Sequence, residues 1–212
     1  MIRDFKFRPE EVSASEIARL TPPFTPRQVF LFSGHMIDAP DRPEPRFPAE
    51  KEAAAAKEIA VALEALGAAP GDLALAQGAA GGDLLFLETC QQRGVRCQLL
   101  LPFDEPEFIE RSVLPSDDGN IWRERYFAMK AKLQDAPRVL PEELGPAPKD
   151  VDPYVRCNLW LLYTALACGV DKVRFICLWN GGGGDGPGGT AQMYNEVKRR
   201  TGRVTWIDTR KL

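Results

Sequence analysis

The residues best suited to chemistry lie in a glycine-rich stretch at 77–83, which follows an apolar run and opens a helical pattern. A strand, a glycine turn and a helix start direct backbone N–H groups towards an anion. Gly78, Gly81 and Gly82 allow a sharp turn and a close approach of a ligand. Asp83 falls in the first helical turn, where a carboxylate caps the helix or holds a sugar hydroxyl. The stretch is therefore either a capped turn or a phosphate site.

Two other apolar runs end in similar polar, glycine-containing segments, which favours a shared ligand site. Arg46, in a proline-rich segment after the first run, supplies a guanidinium suited to bidentate phosphate contact. The remaining residues predicted to contact the ligand are Ser33, Gly34, His35, Gly188, Gly189 and Thr190.

Strand-like and helix-like patterns alternate along the chain, which predicts an α/β fold: a Rossmann-like three-layer sandwich with a mostly parallel sheet and helices on both faces. In such sheets ligands bind beyond the carboxyl ends of the strands, where the glycine-rich segments fall. The predicted strands are 28–32, 72–76, 96–101, 138–140, 172–179 and 203–208. The predicted helices are 48–66, 83–93, 104–113, 121–133, 152–168 and 190–200.

Residues 1–27 are predicted to form an N-terminal arm with a short helix at 13–20, and residues 28–212 a single domain. Asp104 is predicted to cap one helix, and Asp152 followed by Pro153 to start another. The segment 141–149, rich in proline, is predicted to be a loop.

The predicted helix at 152–168 is apolar on nearly every side. A helix without a polar face is buried all round or lies in a subunit interface. Because a single sheet covers one side, we expect a homodimer contact through this helix.

The 212-residue chain has a net charge of −3 and a pI of about 5.4, which disfavours nucleic-acid binding. No apolar run is long enough for a membrane span, and the first residues do not resemble a signal peptide. The five cysteines lack paired spacing and are expected to be free thiols in the cytoplasm. With one histidine, no metal site is predicted, and no cofactor.

Three motifs together resemble the SLOG superfamily, the Rossmann-like group named after the Smf/DprA DNA-processing proteins and the Lonely Guy (LOG) phosphoribohydrolases. They are Ser33-Gly34-His35, the stretch 77–83, and Pro187-Gly188-Gly189-Thr190. The resemblance implies a domain that binds a nucleotide or a nucleotide derivative. Family members include hydrolases that release the base from nucleoside 5′-monophosphates and sensor domains of bacterial conflict and signalling systems.

The sequence departs from the hydrolase pattern, Pro-Gly-Gly-x-Gly-Thr-x-x-Glu. Here Thr190 follows Gly189 directly, and Met193 stands where the resemblance implies the catalytic glutamate. A nucleotide-sensing domain without robust catalysis is the first hypothesis. The second is a phosphoribohydrolase in which Asp83, Glu88 or Glu196 replaces that glutamate. A DNA-processing protein is the third, and the acidic charge balance disfavours it.

Overall fold

The computed structural model of the protein describes residues 24–183 and 188–212, so the helix predicted at 13–20 lies outside the described residues. Six strands form one sheet in the order β4-β3-β2-β1-β5-β6, and every neighbouring pair is parallel. The strands are β1 (Val29–Gly34), β2 (Leu73–Ala76), β3 (Arg96–Leu101), β4 (Arg138–Val139), β5 (Val173–Trp179) and β6 (Val204–Asp208).

Helices connect successive strands, as parallel pairing requires. A single 3₁₀ turn, Ala49–Lys51, precedes the first of them, and two more 3₁₀ turns lie at Val170–Lys172 and Thr209–Lys211. The α-helices are α1 (Glu52–Ala65), α2 (Gly82–Gln92), α3 (Glu105–Ser112), α4 (Gly119–Lys130), α5 (Leu140–Leu144), α6 (Pro153–Ala167) and α7 (Thr190–Thr201).

Two apolar cores cover the two faces of the sheet, because side chains alternate along each strand. In β1, Phe30 and Phe32 join the core shared with α1, α2 and α4, whereas Val29 and Leu31 join the core shared with α6 and α7. The predicted α/β fold is therefore confirmed: the protein is a Rossmann-like three-layer sandwich, and its described strands are all parallel.

The strand order has a switch point between β1 and β5. From β1 the chain moves outward through β2, β3 and β4, and then returns to the opposite side of β1 to form β5 and β6. The crossovers on the two sides of this point leave in opposite directions, which opens a crevice at the carboxyl ends of the two strands.

Several local predictions are confirmed and others are wrong. The Asp152 carboxylate accepts hydrogen bonds from the N–H groups of Tyr154 (2.8 Å) and Val155 (3.0 Å), so the predicted cap is confirmed. Asp104 occupies the N-cap position of α3, but its side chain makes no capping hydrogen bond. The segment 141–149 is not all loop, because α5 continues directly from β4 with Pro141 in its first turn, where a missing N–H costs nothing.

Helix α6 is not buried on all sides. Its inner side packs on the sheet, while Tyr163 on the outer side is 53% exposed and its hydroxyl accepts a hydrogen bond from Arg200. The homodimer contact expected here stays a prediction. Across residues 24–183 and 188–212, no helix combines the length and apolar character that crossing a membrane requires.

Candidate ligand-binding site

A cavity of about 460 Å³ lies at the switch point, where the carboxyl ends of β1, β2 and β5 meet the starts of α6 and α7. Its volume falls in the range of small-molecule sites. Most of the predicted contact residues line it: Ser33, Gly34, His35, Arg46, Asp83, Gly188, Gly189 and Thr190. The structure thus brings together residues from the three strand ends that the sequence singled out.

The other three predicted residues, Gly78, Gly81 and Gly82, do not line this cavity. A Cβ on Gly81 would lie 2.6 Å from the Ile37 nitrogen, and one on Gly82 would lie 3.2 Å from the His35 oxygen. A Cβ on Gly78 would instead lie 3.2 Å from the Leu99 side chain of β3. Gly81 and Gly82 therefore allow the loop to pack against the residues that follow β1, and Gly78 allows it to pack against β3.

The Asp83 carboxylate occupies the inside of the first glycine turn. Its Oδ2 atom accepts the N–H groups of Gln77 (3.2 Å), Gly78 (3.0 Å) and Ala79 (3.4 Å). The next N–H, of Ala80, donates to the Ser112 oxygen. The N–H groups of residues 77–80, which the sequence offered to an anion, therefore already have acceptors within the protein.

Asp83 is 7% exposed, and two features of its environment shift its pKa in opposite directions. Burial raises the pKa of this carboxyl from 3.8 to about 6, although hydrogen bonds from backbone N–H groups act to lower it. Asp83 is therefore mostly ionised at pH 7 and gains its proton in mildly acidic solution.

Three helices begin at this cavity, and they differ in the carboxylates at their N-cap positions and first turns. Asp83 lies in the first turn of α2, and Asp152 caps α6. Helix α7 begins after Gly189 and has no acidic residue in its first turn and no side-chain cap. Among the described residues, the N–H groups of Thr190 and Ala191 have no acceptor. The partial positive charge of the α7 N-terminus is thus not offset by a carboxylate at the N-cap position or in the first turn.

A buried asparagine connects the two glycine-rich loops. Asn158 of α6 is 4% exposed; its Oδ1 accepts a hydrogen bond from Gln77 (2.9 Å), and its Nδ2 donates to the Gly188 oxygen (2.5 Å). Gly188 has φ +86°, and a Cβ there would lie 2.6 Å from the Val155 nitrogen. Both features hold the start of α7 against α6.

His35 connects the end of β1 to the start of the second glycine loop. The Asn180 N–H lies 3.2 Å from the His35 Nε2, and the Asn180 Oδ1 lies 3.1 Å from the same atom. Burial lowers the pKa of His35 from 6.5 to about 4. The imidazole is therefore neutral at pH 7.

Two arginines reach the cavity wall, and the sequence prediction named one of them. Arg46 was predicted; its backbone N–H donates to the Asp38 carboxylate (2.7 Å), which fixes the loop after β1. Arg111 of α3 was missed; it stacks on Phe103 at 4.9 Å and pairs with Glu107 at 2.7 Å. Each brings a cationic side chain to the wall of the cavity.

Sequence reasoning also missed Tyr154, Asn158 and Trp179, which line the cavity. Nothing in the sequence predicts how the start of α6 lies across the sheet. One signal was present, because Asn158 is one of the few polar residues in a mostly apolar helical run. A buried amide needs partners, and these are the loops that it holds.

Of the three candidate catalytic carboxylates, Asp83 alone lines this cavity. Glu88 pairs with Arg125 at 2.6 Å and lines a different cavity. Glu196 pairs with Arg199 and Arg200 further along α7. Met193, where the resemblance to the hydrolases implies a glutamate, is 1% exposed and packs in the core.

Comparison with known proteins does not assign this chain to a family. No family model matches the chain, and no curated protein matches it. Among solved structures, the chain is similar to the Moco carrier protein from Chlamydomonas reinhardtii, with 14% identity, 86% of this chain and 91% of that chain covered, and a TM-score of 0.34. A similarity this weak does not bear on function.

Proposed function

We propose that the protein is a nucleotide-binding domain of the sensor type, which holds the phosphate of a nucleotide or nucleotide derivative at the N-terminus of α7. The observation that carries the proposal is the contrast among the helix starts at the cavity. Asp83 lies in the first turn of α2, and Asp152 caps α6. Helix α7 has no acidic residue in its first turn and no side-chain cap. An anion is stabilised where aligned N–H groups are left open.

The groups around the α7 N-terminus support an oxyanion ligand. The Ser33 hydroxyl lies 3.3 Å from the Thr190 hydroxyl, and both residues line the cavity together with Arg46. Hydroxyls and a guanidinium donate to phosphate oxygens. The resemblance of the three motifs to the SLOG superfamily supports a nucleotide in preference to a simple anion.

A second candidate function, a LOG-like phosphoribohydrolase, has one observation in its favour. Asp83 is a buried carboxylate in the cavity wall whose pKa is raised to about 6, as in many general acids and bases. Against it, the Oδ2 atom of Asp83 already accepts N–H groups of its own loop. The position of the family's glutamate carries the buried Met193. Binding without appreciable hydrolysis is therefore the better supported function.

Calorimetry with AMP, adenosine and inorganic phosphate tests the binding proposal. We expect AMP to bind at least about tenfold more tightly than adenosine, because the phosphate supplies charge-assisted hydrogen bonds. Equal affinities for AMP and adenosine would show that the phosphate does not contribute to binding, and would contradict the proposed site. Mass spectrometry of any ligand released by heating the purified protein identifies the natural compound.

A separate assay tests for hydrolysis. The protein is incubated with a panel of nucleoside monophosphates, and free base is followed by chromatography. We expect no appreciable release. Turnover that disappears in Asp83→Asn but persists in Glu88→Gln and Glu196→Gln would establish the hydrolase function instead.

A further inference from the structure

We infer that Trp179 is the stacking platform for the base of the ligand, an inference that rests on the proposed nucleotide-binding function. Trp179 is the last residue of β5 and lines the cavity together with Gly34 and Thr190. It therefore lies beside the α7 N-terminus, where the phosphate is proposed to bind. An indole is a flat apolar surface suited to a planar heteroaromatic ring.

The indole of Trp179 is held in place by contacts within the protein. Its Nε1 atom donates to the Gly182 oxygen (3.0 Å), and its own carbonyl accepts a hydrogen bond from Trp206 (2.8 Å). The ring packs against Tyr194 at 5.3 Å and Trp206 at 5.6 Å between centroids. A side chain already fixed loses little conformational entropy when a ligand stacks on it.

The three members of this aromatic cluster, Trp179, Tyr194 and Trp206, are not equivalent. Trp179 lines the cavity, whereas Tyr194 and Trp206 are not among the described residues that do. Trp206 is 42% exposed on the outside of the molecule. The two neighbours therefore support Trp179 from outside the cavity, and Trp206 provides a control position within the same cluster.

Tyr154 is the other large aromatic side chain in the wall, and it is used in packing. Its hydroxyl lies 2.8 Å from the Ser112 hydroxyl, and its ring meets the Phe103 ring at 5.4 Å with an interplanar angle of 85°. Gly188 approaches its Cβ as well. These contacts favour Trp179 as the surface for a base.

The engaged Nε1 of Trp179 sets the kind of selectivity expected. Since this N–H already donates to Gly182, Trp179 offers a stacking face and no hydrogen bond to a base edge. Stacking tolerates every base and strengthens with ring area. Trp179 should therefore favour purine over pyrimidine nucleotides without distinguishing adenine from guanine.

The test compares AMP with ribose 5-phosphate, which lacks the base, by calorimetry on the full chain. We expect AMP to bind the unmodified protein roughly ten- to hundredfold more tightly, the usual worth of one stacked base. In Trp179→Leu the affinity for AMP should fall to that for ribose 5-phosphate, which should itself stay unchanged. Trp179→Phe should lie between, and Trp206→Phe should keep the full ratio.

The outcomes separate this inference from the proposed function. Ribose 5-phosphate binding as tightly as AMP would overturn the base subsite and leave the phosphate site standing. Circular dichroism checks that Trp179→Leu is folded. If that variant keeps the full ratio of AMP affinity to ribose 5-phosphate affinity, the base does not stack on Trp179 and this inference is wrong. Failure of both ligands to bind would overturn the proposed function and this inference with it.

Discussion

The two glycine-rich loops at the candidate cavity look alike in sequence but lead into helices with different first turns. In the loop after β2, three N–H groups donate to Asp83, at the second position of α2. The loop after β5 leads into α7. The second residue of α7 is Ala191, and the first turn of this helix has no acidic residue. At the second position of the helix, the first loop therefore has an aspartate where the second loop has an alanine.

Glycines followed by the start of a helix are therefore not sufficient to identify a phosphate site. A carboxylate in the first turn is stabilised by the same N–H groups and the same dipole as a bound anion. In the first loop this interaction is made within the fold, by Asp83; in the second we propose that a ligand phosphate makes it. The predictions below change one loop at a time.

The largest expected effect comes from Gly81 in the first loop. Gly81→Ala forces a Cβ to within 2.6 Å of the Ile37 nitrogen at φ +93°. We expect a loss of about 4 kcal/mol in the free energy of unfolding, from the clash and the backbone strain together. Urea denaturation measures it. Gly71→Ala is the control, because φ is +92° there but no atom lies within 4 Å, and about 1 kcal/mol is expected.

The next effect removes the acceptor inside the first loop. Asp83→Ala leaves the N–H groups of Gln77, Gly78 and Ala79 without an acceptor, and we expect a loss of about 3 kcal/mol of stability. Asp83→Asn keeps an oxygen in the turn and should be milder. Equal stability of the alanine variant and the unmodified protein would show that the turn does not depend on this carboxylate.

The second loop can be converted towards the first by Ala191→Asp. The new carboxylate at the second position of α7 would compete with the phosphate for the same N–H groups. We expect AMP affinity to fall by about a hundredfold by calorimetry, with stability unchanged or slightly increased. Ala191→Asn has nearly the same shape without the charge and should lose much less. Unchanged affinity in the aspartate variant would place the phosphate away from α7.

Each loop also contacts a titratable group, and the two respond to pH with opposite signs. The folded state raises the pKa of Asp83 from 3.8 to about 6, so its contribution to stability is full below pH 3.8 and is lost as pH rises through about 6. His35, beside Asn180, has its pKa lowered from 6.5 to about 4. Its contribution is full above pH 6.5 and is lost as pH falls through about 4.

Between pH 6.5 and 4 the contributions of Asp83 and His35 should partly cancel in the unmodified protein. Asp83→Asn should make the loss of stability on acidification steeper by roughly 2 kcal/mol over this range, and His35→Gln should make it shallower. Urea denaturation at several pH values measures both slopes. Slopes that change in the same direction would contradict this account.

The smallest effect concerns the bridge between the loops. Asn158→Asp keeps an acceptor for Gln77 but cannot donate to the Gly188 oxygen. We expect the start of α7 to shift and AMP affinity to fall by about tenfold, with part of the loss due to the added negative charge. Gln77→Met leaves the bond from Asn158 to Gly188 in place, so its affinity should change less. The reverse order would mean that the first loop, and not the second, holds the ligand.

The sequence by itself determined the layers of the molecule. Alternating strand and helix patterns predicted the parallel sheet, since both faces of each core strand had to be covered and parallel strands need crossovers. Asp152 followed by Pro153 fixed the start of α6, because a carboxylate cap and a proline without an N–H act within one helical turn. Signals of this kind depend on residues close together in the chain.

Only the tertiary structure decided which predicted groups are free to bind a ligand. The strand order brought Ser33, Asp83 and Thr190 to one cavity and left Glu88 and Glu196 outside it. It also gave the N–H groups of the first loop to Asp83 and placed Asn158 between the loops. A hydrogen-bonding group is satisfied by whatever the fold brings within about 3 Å, and spacing along the sequence does not encode that distance.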